Sequence, residues 1–281
     1  AWCSDTLRFI NQYHEKHRGW IDEFAAFPSG HLALTGVNGE LELYHGRLRA
    51  IDATGEEVLN IQDTDYIHHF TESAQPWTYL KFPYLTHLGP EHGWNRVGPL
   101  ARLNVCRSIP TPLAEAERQH FFEAEGAWPN NRTMHTHRAR LIEMLHCAEV
   151  IRDLLHNDLI LGDDLRTEGV GRNEGIGVIE APRGTLIHHY LVDDEGRIER
   201  CNLIVSTTHN NEAMNRSVRW VAQRELSGKP EITESMLNQV EMAIRAYDPC
   251  LSCATHALGQ MPLAISLFDH RGTLIHEAHS Q

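Results

Sequence analysis

Asp248-Pro249-Cys250-Leu251-Ser252-Cys253-Ala254-Thr255-His256 is the stretch on which the reading of this chain turns. Two thiols three residues apart can chelate one metal ion, because a tight turn after a helix points both sulfurs to the same side. The residues before it supply that helix. Met236, Leu237, Val240, Ala243, Ile244 and Tyr247 recur at helical spacing and predict a buried helix over 233–246. Pro249 pushes Asp248 out of helical geometry, so the helix delivers its end to Cys250. On spacing alone several chemistries stay open. Haem attachment is disfavoured, because it needs a histidine directly after the second cysteine and Ala254 and Thr255 intervene. A zinc site would need a second ligand pair; Cys3, Cys106, Cys147 and Cys201 are isolated, although 20 histidines leave a mixed set open. A redox dithiol normally follows a strand and opens a helix, the reverse of the order here.

Working outward, a helix is predicted over 211–224, and before it GIGVIEA (175–181), TLIHHYLV (185–192) and IERCNLIV (198–205) read as strands of one sheet over about 175–206. Pro182-Arg183-Gly184 and Asp193-Asp194-Glu195-Gly196 are the turns between them. On its own the first of these is a plain turn with a solvated arginine. Leu141, Met144, Leu145, Ala148, Ile151 and Leu155 predict one long amphipathic helix over about 132–156, its apolar stripe in the core. Prolines, glycines and aromatics over 76–112 predict a long irregular connection. Alternation over 31–61 predicts a β-meander with Asn38-Gly39 as its first tight turn, and a helix is predicted over 7–24. After His256, residues 261–281 read as strand, turn at Asp269–Gly272 and strand. The class is α+β.

The 281 residues are 41% hydrophobic and carry a formal charge of −13 without a basic cluster, which argues against nucleic acid or an anionic membrane as partner. No apolar run reaches membrane-spanning length and no secretory leader is present, so a cytoplasmic location is expected. Six cysteines are too sparse for a disulfide scaffold and are expected reduced. Ala1 runs straight into a helix, from which a fragment of a longer protein is expected. No GxGxxG or P-loop spacing occurs; GVGRNEGIGV (169–178) fits neither, so no nucleotide is expected to bind this chain.

DPCLSCATH, EAPRGTLIHHY (180–190), NLIVSTTHNNEAMN (202–215), YLKFPY (79–84) and VGPLARLNVC (97–106) together resemble the large subunit of [NiFe] hydrogenases of the soluble, bidirectional branch, over nearly the whole chain. The resemblance implies an α+β large-subunit fold with long core helices and small peripheral β-sheets. Residues 1–256 would be its C-terminal portion and 257–281 a cleavable extension. It implies a nickel ion held by four thiolates and an iron carrying carbon monoxide and cyanide. Cys250 would be a terminal nickel ligand, Cys253 a bridge to iron, and His256 a ligand of a nearby magnesium. Soft thiolates suit a metal that cycles between oxidation states.

The same resemblance puts Arg183, beside Pro182, over the position where H2 is split, where a fixed cation stabilises separating charge. Asp248 would pair with it and keep it aimed. Ser206 and Thr207 fall in the stretch that hydrogen-bonds an iron-bound cyanide. The implied reaction is reversible heterolytic cleavage of H2, with NAD(P), FMN and Fe–S clusters on partners: flavoprotein diaphorase subunits and an iron-sulfur small subunit. Nickel chaperones and a maturation endopeptidase cutting after His256 are implied as well. The family's other CxxC pair and an acidic magnesium ligand lie in an N-terminal region outside this sequence, so the chain alone is expected to be inactive. The alternatives are a [NiFe] hydrogenase coupled to another acceptor, such as a deazaflavin or a disulfide reductase, and a non-catalytic hydrogenase-like scaffold subunit.

Overall fold

The stretch expected as one helix over 7–24 forms two, α1 (Trp2–Lys16) and α2 (Arg18–Glu23). His17, at φ −115° and ψ 21°, breaks the run. The break sends Leu7 into one apolar cluster and Ile21 and Phe24 into another, which a single straight helix could not serve. These positions come from a computed structural model describing residues 2–166, 168–254 and 264–279.

Strands β1 (Gly30–Thr35), β2 (Arg47–Ile51) and β3 (Glu57–Gln62) form the antiparallel meander. Gly39 does occupy a turn, at φ +85°, closed by Gly36 N–H donating to Glu40 O at 2.9 Å. The second run starts later than its alternation suggests. The Glu42 carboxylate accepts from the amides of Leu43 and Tyr44 at 2.9 and 3.0 Å, which holds residues 42–45 in a turn before β2.

The expected irregular connection is more regular than predicted. After β4 (Phe70–Ser73) it contains β5 (Phe82–Leu85), the single turn α3 (Gly89–His92), β6 (Asn95–Arg96) parallel to β1, and α4 (Pro99–Val105). Every residue of α4 is buried, so it has no polar face from which a period could be read. Helix α5 (Pro112–Glu125) was also not legible; it opens on proline and closes at Gly126, whose φ of +60° ends the helix in the left-handed region.

Helix α6 (His135–Leu155) is the long helix, packed against α1, α4 and α5, but its expected stripe is wrong in part. Ile151 and Leu155 are exposed, while Arg138, Glu143, His146 and Glu149 are buried. The polar groups face inward because each has a partner there. Arg138 pairs with Glu125 at 2.9 Å, and Glu149 accepts from the amides of Leu113 and Ala114 at the start of α5.

Strands β7 (Glu174–Ala181), β8 (Gly184–Val192) and β9 (Ile198–Ile204) form the second antiparallel sheet. Then come α7 (Ser206–His209), α8 (Asn211–Val221), α9 (Glu234–Arg245) and α10 (Leu251–Ala254). Residues 264–279 form the hairpin β10 (Ala264–Phe268) and β11 (Leu274–His279); its Leu267 packs on the α8–α9 core, and Ile232 N–H donates to His276 Nδ1 at 3.1 Å. Among the described residues no helix is long and apolar enough to cross a membrane.

Candidate metal centre

Two turns meet at the site. The first closes β7 and β8, with Ala181 paired to Gly184 and Pro182-Arg183 at the tip. Two glycines let this turn lie against the start of α4. A β-carbon on Gly98 (φ +99°) would fall 2.8 Å from the Arg183 carbonyl oxygen, and one on Gly184 (φ +133°) would fall 2.3 Å from Val97 Cγ2. Ser206 Oγ donates to the Gly184 carbonyl at 2.6 Å and ties the turn to α7.

The second turn follows α9. Leu237, Val240, Ala243 and Tyr247 are buried, and the Tyr247 hydroxyl lies 2.8 Å from Ser217 Oγ on α8, which fixes where the helix ends. Asp248, before the proline, then takes φ +49°, a left-handed conformation that a short polar side chain tolerates. This kink turns the Asp248 carbonyl toward Arg183, whose Nε donates to it at 2.6 Å. The carboxylate Oδ2 is 3.2 Å from the same nitrogen. Both side chains are more than a third exposed, so the ion pair contributes at most about 1 kcal/mol and its value is orientation. Among the described residues the terminal nitrogens of Arg183 have no hydrogen-bond partner.

Cys250 N–H donates to the buried Thr207 Oγ1 at 3.1 Å, and Cys253, on α10, donates its N–H to Cys250 O at 3.2 Å. Cys250 is half-buried and Cys253 exposed. Hydrogen bonds from Cys253 and Ser252, with Arg183 nearby, hold the Cys250 thiol below the ordinary thiol range, while the Cys253 thiol is pushed up by its bond to Cys250. Burial pushes the Cys106 thiol up to about 12 and raises that of Cys147, so these two are poorer metal ligands. Two chelating, soft, accessible thiols at one mouth fit the thiolate half of a nickel site.

Thus the structure brings Arg183 to Asp248 and Cys250 to Thr207 at neighbouring points of the same two turns. Ser206 meets the site from behind, its single O–H already donated to Gly184. Pro182 and Asp248 both border a cavity of about 370 Å³, together with Arg102, Arg140 and Glu143. His256 lies outside the described residues. Sequence reading missed Arg102, Glu143 and Glu180, buried charges that no period or motif spacing marks as partners. It also missed Asp22, Glu125 and His135, whose ligand atoms lie within 4.8 Å of one another. Arg132 and Arg138 each pair with Glu125 at 2.9 Å, so that cluster is already neutralised and reads as an ion-pair network.

The sequence pattern of nickel-dependent hydrogenases matches residues 47–256, and the chain belongs to that family of enzymes. It is 50% identical over 279 residues to the NAD-reducing hydrogenase HoxS subunit beta of Cupriavidus necator, covering 98% of this chain and 57% of that one. It is 42% identical over 246 residues to a chain of the F420-non-reducing hydrogenase vhc of Methanococcus voltae, covering 86% and 51%. The crystal structure of an NAD+-reducing [NiFe]-hydrogenase in the H2-reduced state superposes with a TM-score of 0.84 at 45% identity, over 91% of this chain and 56% of that one. The Ni-Fe-Se hydrogenase of D. vulgaris Hildenborough shares the fold at a TM-score of 0.61 and 19% identity. The expected large-subunit fold is the observed one, and the chain spans about half the length of the relatives it matches.

Proposed function

We propose that this chain is the C-terminal, metal-holding portion of the large subunit of an NAD(P)-linked [NiFe] hydrogenase. The reaction is H2 ⇌ 2 H+ + 2 e−, with the electrons passing through an iron-sulfur small subunit to flavoprotein diaphorase subunits that hold FMN and NAD(P). A bound Ni–Fe centre, with carbon monoxide and cyanide on iron, supplies the redox-active site that polarises H2. The observation that carries the reading is the meeting of Arg183 Nε with Asp248 O at 2.6 Å beside Cys250, itself tied to Thr207.

In this reading Cys250 and Cys253 would hold the metals and Arg183 would supply fixed positive charge beside the thiols. Asp248 aims Arg183, and Pro182 shapes the tip that presents it. Thr207 accepts from Cys250 N–H, and its own O–H would be the donor to an iron-bound cyanide; Ser206 braces the turn. His256 serves a magnesium, and residues 257–281 are removed after nickel chaperones have delivered the metal. The docked hairpin β10–β11 is part of that extension. Location is cytoplasmic. The resemblance at 42% to an F420-non-reducing hydrogenase supports a second reading, in which the same centre feeds another acceptor.

The test is H2-dependent reduction of NAD+ by the complex purified from its host, with the mass of the mature large chain measured alongside. Reduction of NAD+ and a large chain ending at His256 are expected. Reduction of a deazaflavin or disulfide partner but not NAD+ would select the second reading, and a nickel-free complex would leave only the scaffold.

A further inference from the structure

Behind the Pro182-Arg183 turn, Arg102 on α4 is fully buried and uses all five of its N–H groups. Nε and Nη2 grip the two Glu143 oxygens on α6 at 2.5 and 2.6 Å. Nη1 donates to Glu180 Oε2 on β7 at 2.7 Å. The remaining two N–H groups reach the main chain of the turn itself, Nη1 to Ala181 O at 3.0 Å and Nη2 to Pro182 O at 3.2 Å. Glu180 is fixed in turn: its other oxygen accepts from Leu34 N–H at 3.0 Å and Thr185 Oγ1 at 2.6 Å.

The geometry points to Arg102 as the positioning residue of Arg183, gripping the two peptide carbonyls that precede it and so fixing where its guanidinium sits. The inference rests on the reading of Arg183 given above. A merely stabilising role would need only the two carboxylates, and buried ionic trios of that kind are often replaceable by apolar side chains without loss. Apolar side chains cannot replace the two carbonyl bonds. They require a planar fork that donates in several directions at once, which lysine lacks. Just before α4, the bare Cα of Gly98 leaves room for the Arg183 carbonyl, which an added β-carbon would meet at 2.8 Å, so α4 bonds the carbonyls of Ala181 and Pro182 and its cap residue lies close against the next. Asp248 then holds the Arg183 side chain itself.

The experiment is R102K in the holoenzyme, reading nickel per large chain, kcat and KM for H2, the infrared stretches of the iron-bound ligands, and the crystallographic position of Arg183. Retained nickel, KM within about threefold, shifted infrared bands and kcat lower by roughly 10- to 100-fold are expected, with the Arg183 guanidinium displaced from Asp248. Wild-type turnover per nickel, or an unmoved Arg183, would overturn the proposal. E143Q keeps an oxygen acceptor for the fork and guards against a variant that fails to fold: a fall of about three- to tenfold per nickel supports the clamp, and unchanged turnover removes it. R183K separates the two ideas. If R183K at full nickel turns over normally, the reading of Arg183 itself fails; if it is impaired while R102K is not, only the clamp falls.

Discussion

The Pro182-Arg183 turn and the Cys250–Cys253 turn face each other across one site and are held in opposite ways. The arginine turn is set into the interior by a buried guanidinium fork, by glycine contacts too close for a side chain, and by Ser206. The thiol turn hangs from the buried Tyr247, with Asp248 bonded to Arg183 and Cys250 to Thr207, and leaves Cys253 exposed. On the proposed reading of Arg183 as a fixed cation and of Cys250 and Cys253 as metal ligands, the contrast is physically sensible. A cation that must meet developing charge at a fixed place works only if it is oriented beforehand, whereas ligands that must receive a metal have to be reachable until it arrives.

The largest expected effect breaks the accessible side. C250S or C253S in the full-length protein removes a soft ligand, so nickel content and H2 turnover should fall together, turnover by about a thousandfold or more, as read by metal analysis and H2 uptake. C147S, at a thiol raised by burial, should leave nickel at the wild-type level; loss of nickel there would mean the donor set is misassigned.

The smallest expected effect concerns the rigid side. His209, on the same short helix as Ser206 and Thr207, is fully buried, and burial lowers its pKa from 6.5 to about 3. Because the folded value is depressed, its stabilising contribution is complete above pH 6.5 and is lost as pH falls toward about 3. Within that window each pH unit removes up to about 1.4 kcal/mol. Urea midpoints should therefore drop between pH 6.5 and 5, and H209F, which keeps the ring contact with Phe70, should flatten that drop. His31 and His135, lowered by burial to about 3 and about 2, act in the same direction, so the slope should shrink without vanishing. An unchanged slope in H209F would show that the histidine is charged in the folded protein.

How much of this was legible depended on whether a residue's role shows in its neighbours along the chain. The thiol turn was legible because helix, proline and cysteines are consecutive, and the strands around Arg183 were legible because turn residues punctuate them. Helix α4 was not, since a wholly buried seven-residue helix has no polar face. The stripe on α6 was misread in part because Glu143 and Glu149 face inward to partners 41 and 35 residues away, Arg102 and Ala114. The acid-arginine trio behind the site was invisible for the same reason. EAPRG carries its glutamate in plain view, but the arginine it meets lies 78 residues upstream.

The most direct test of the account is R183K in the nickel-loaded holoenzyme. Lysine keeps the charge and loses the fork that Asp248 aims. Nickel content equal to wild type with H2 turnover lower by roughly a hundredfold is predicted. Full nickel together with wild-type turnover would contradict the claim that this turn exists to hold a cation over the metals.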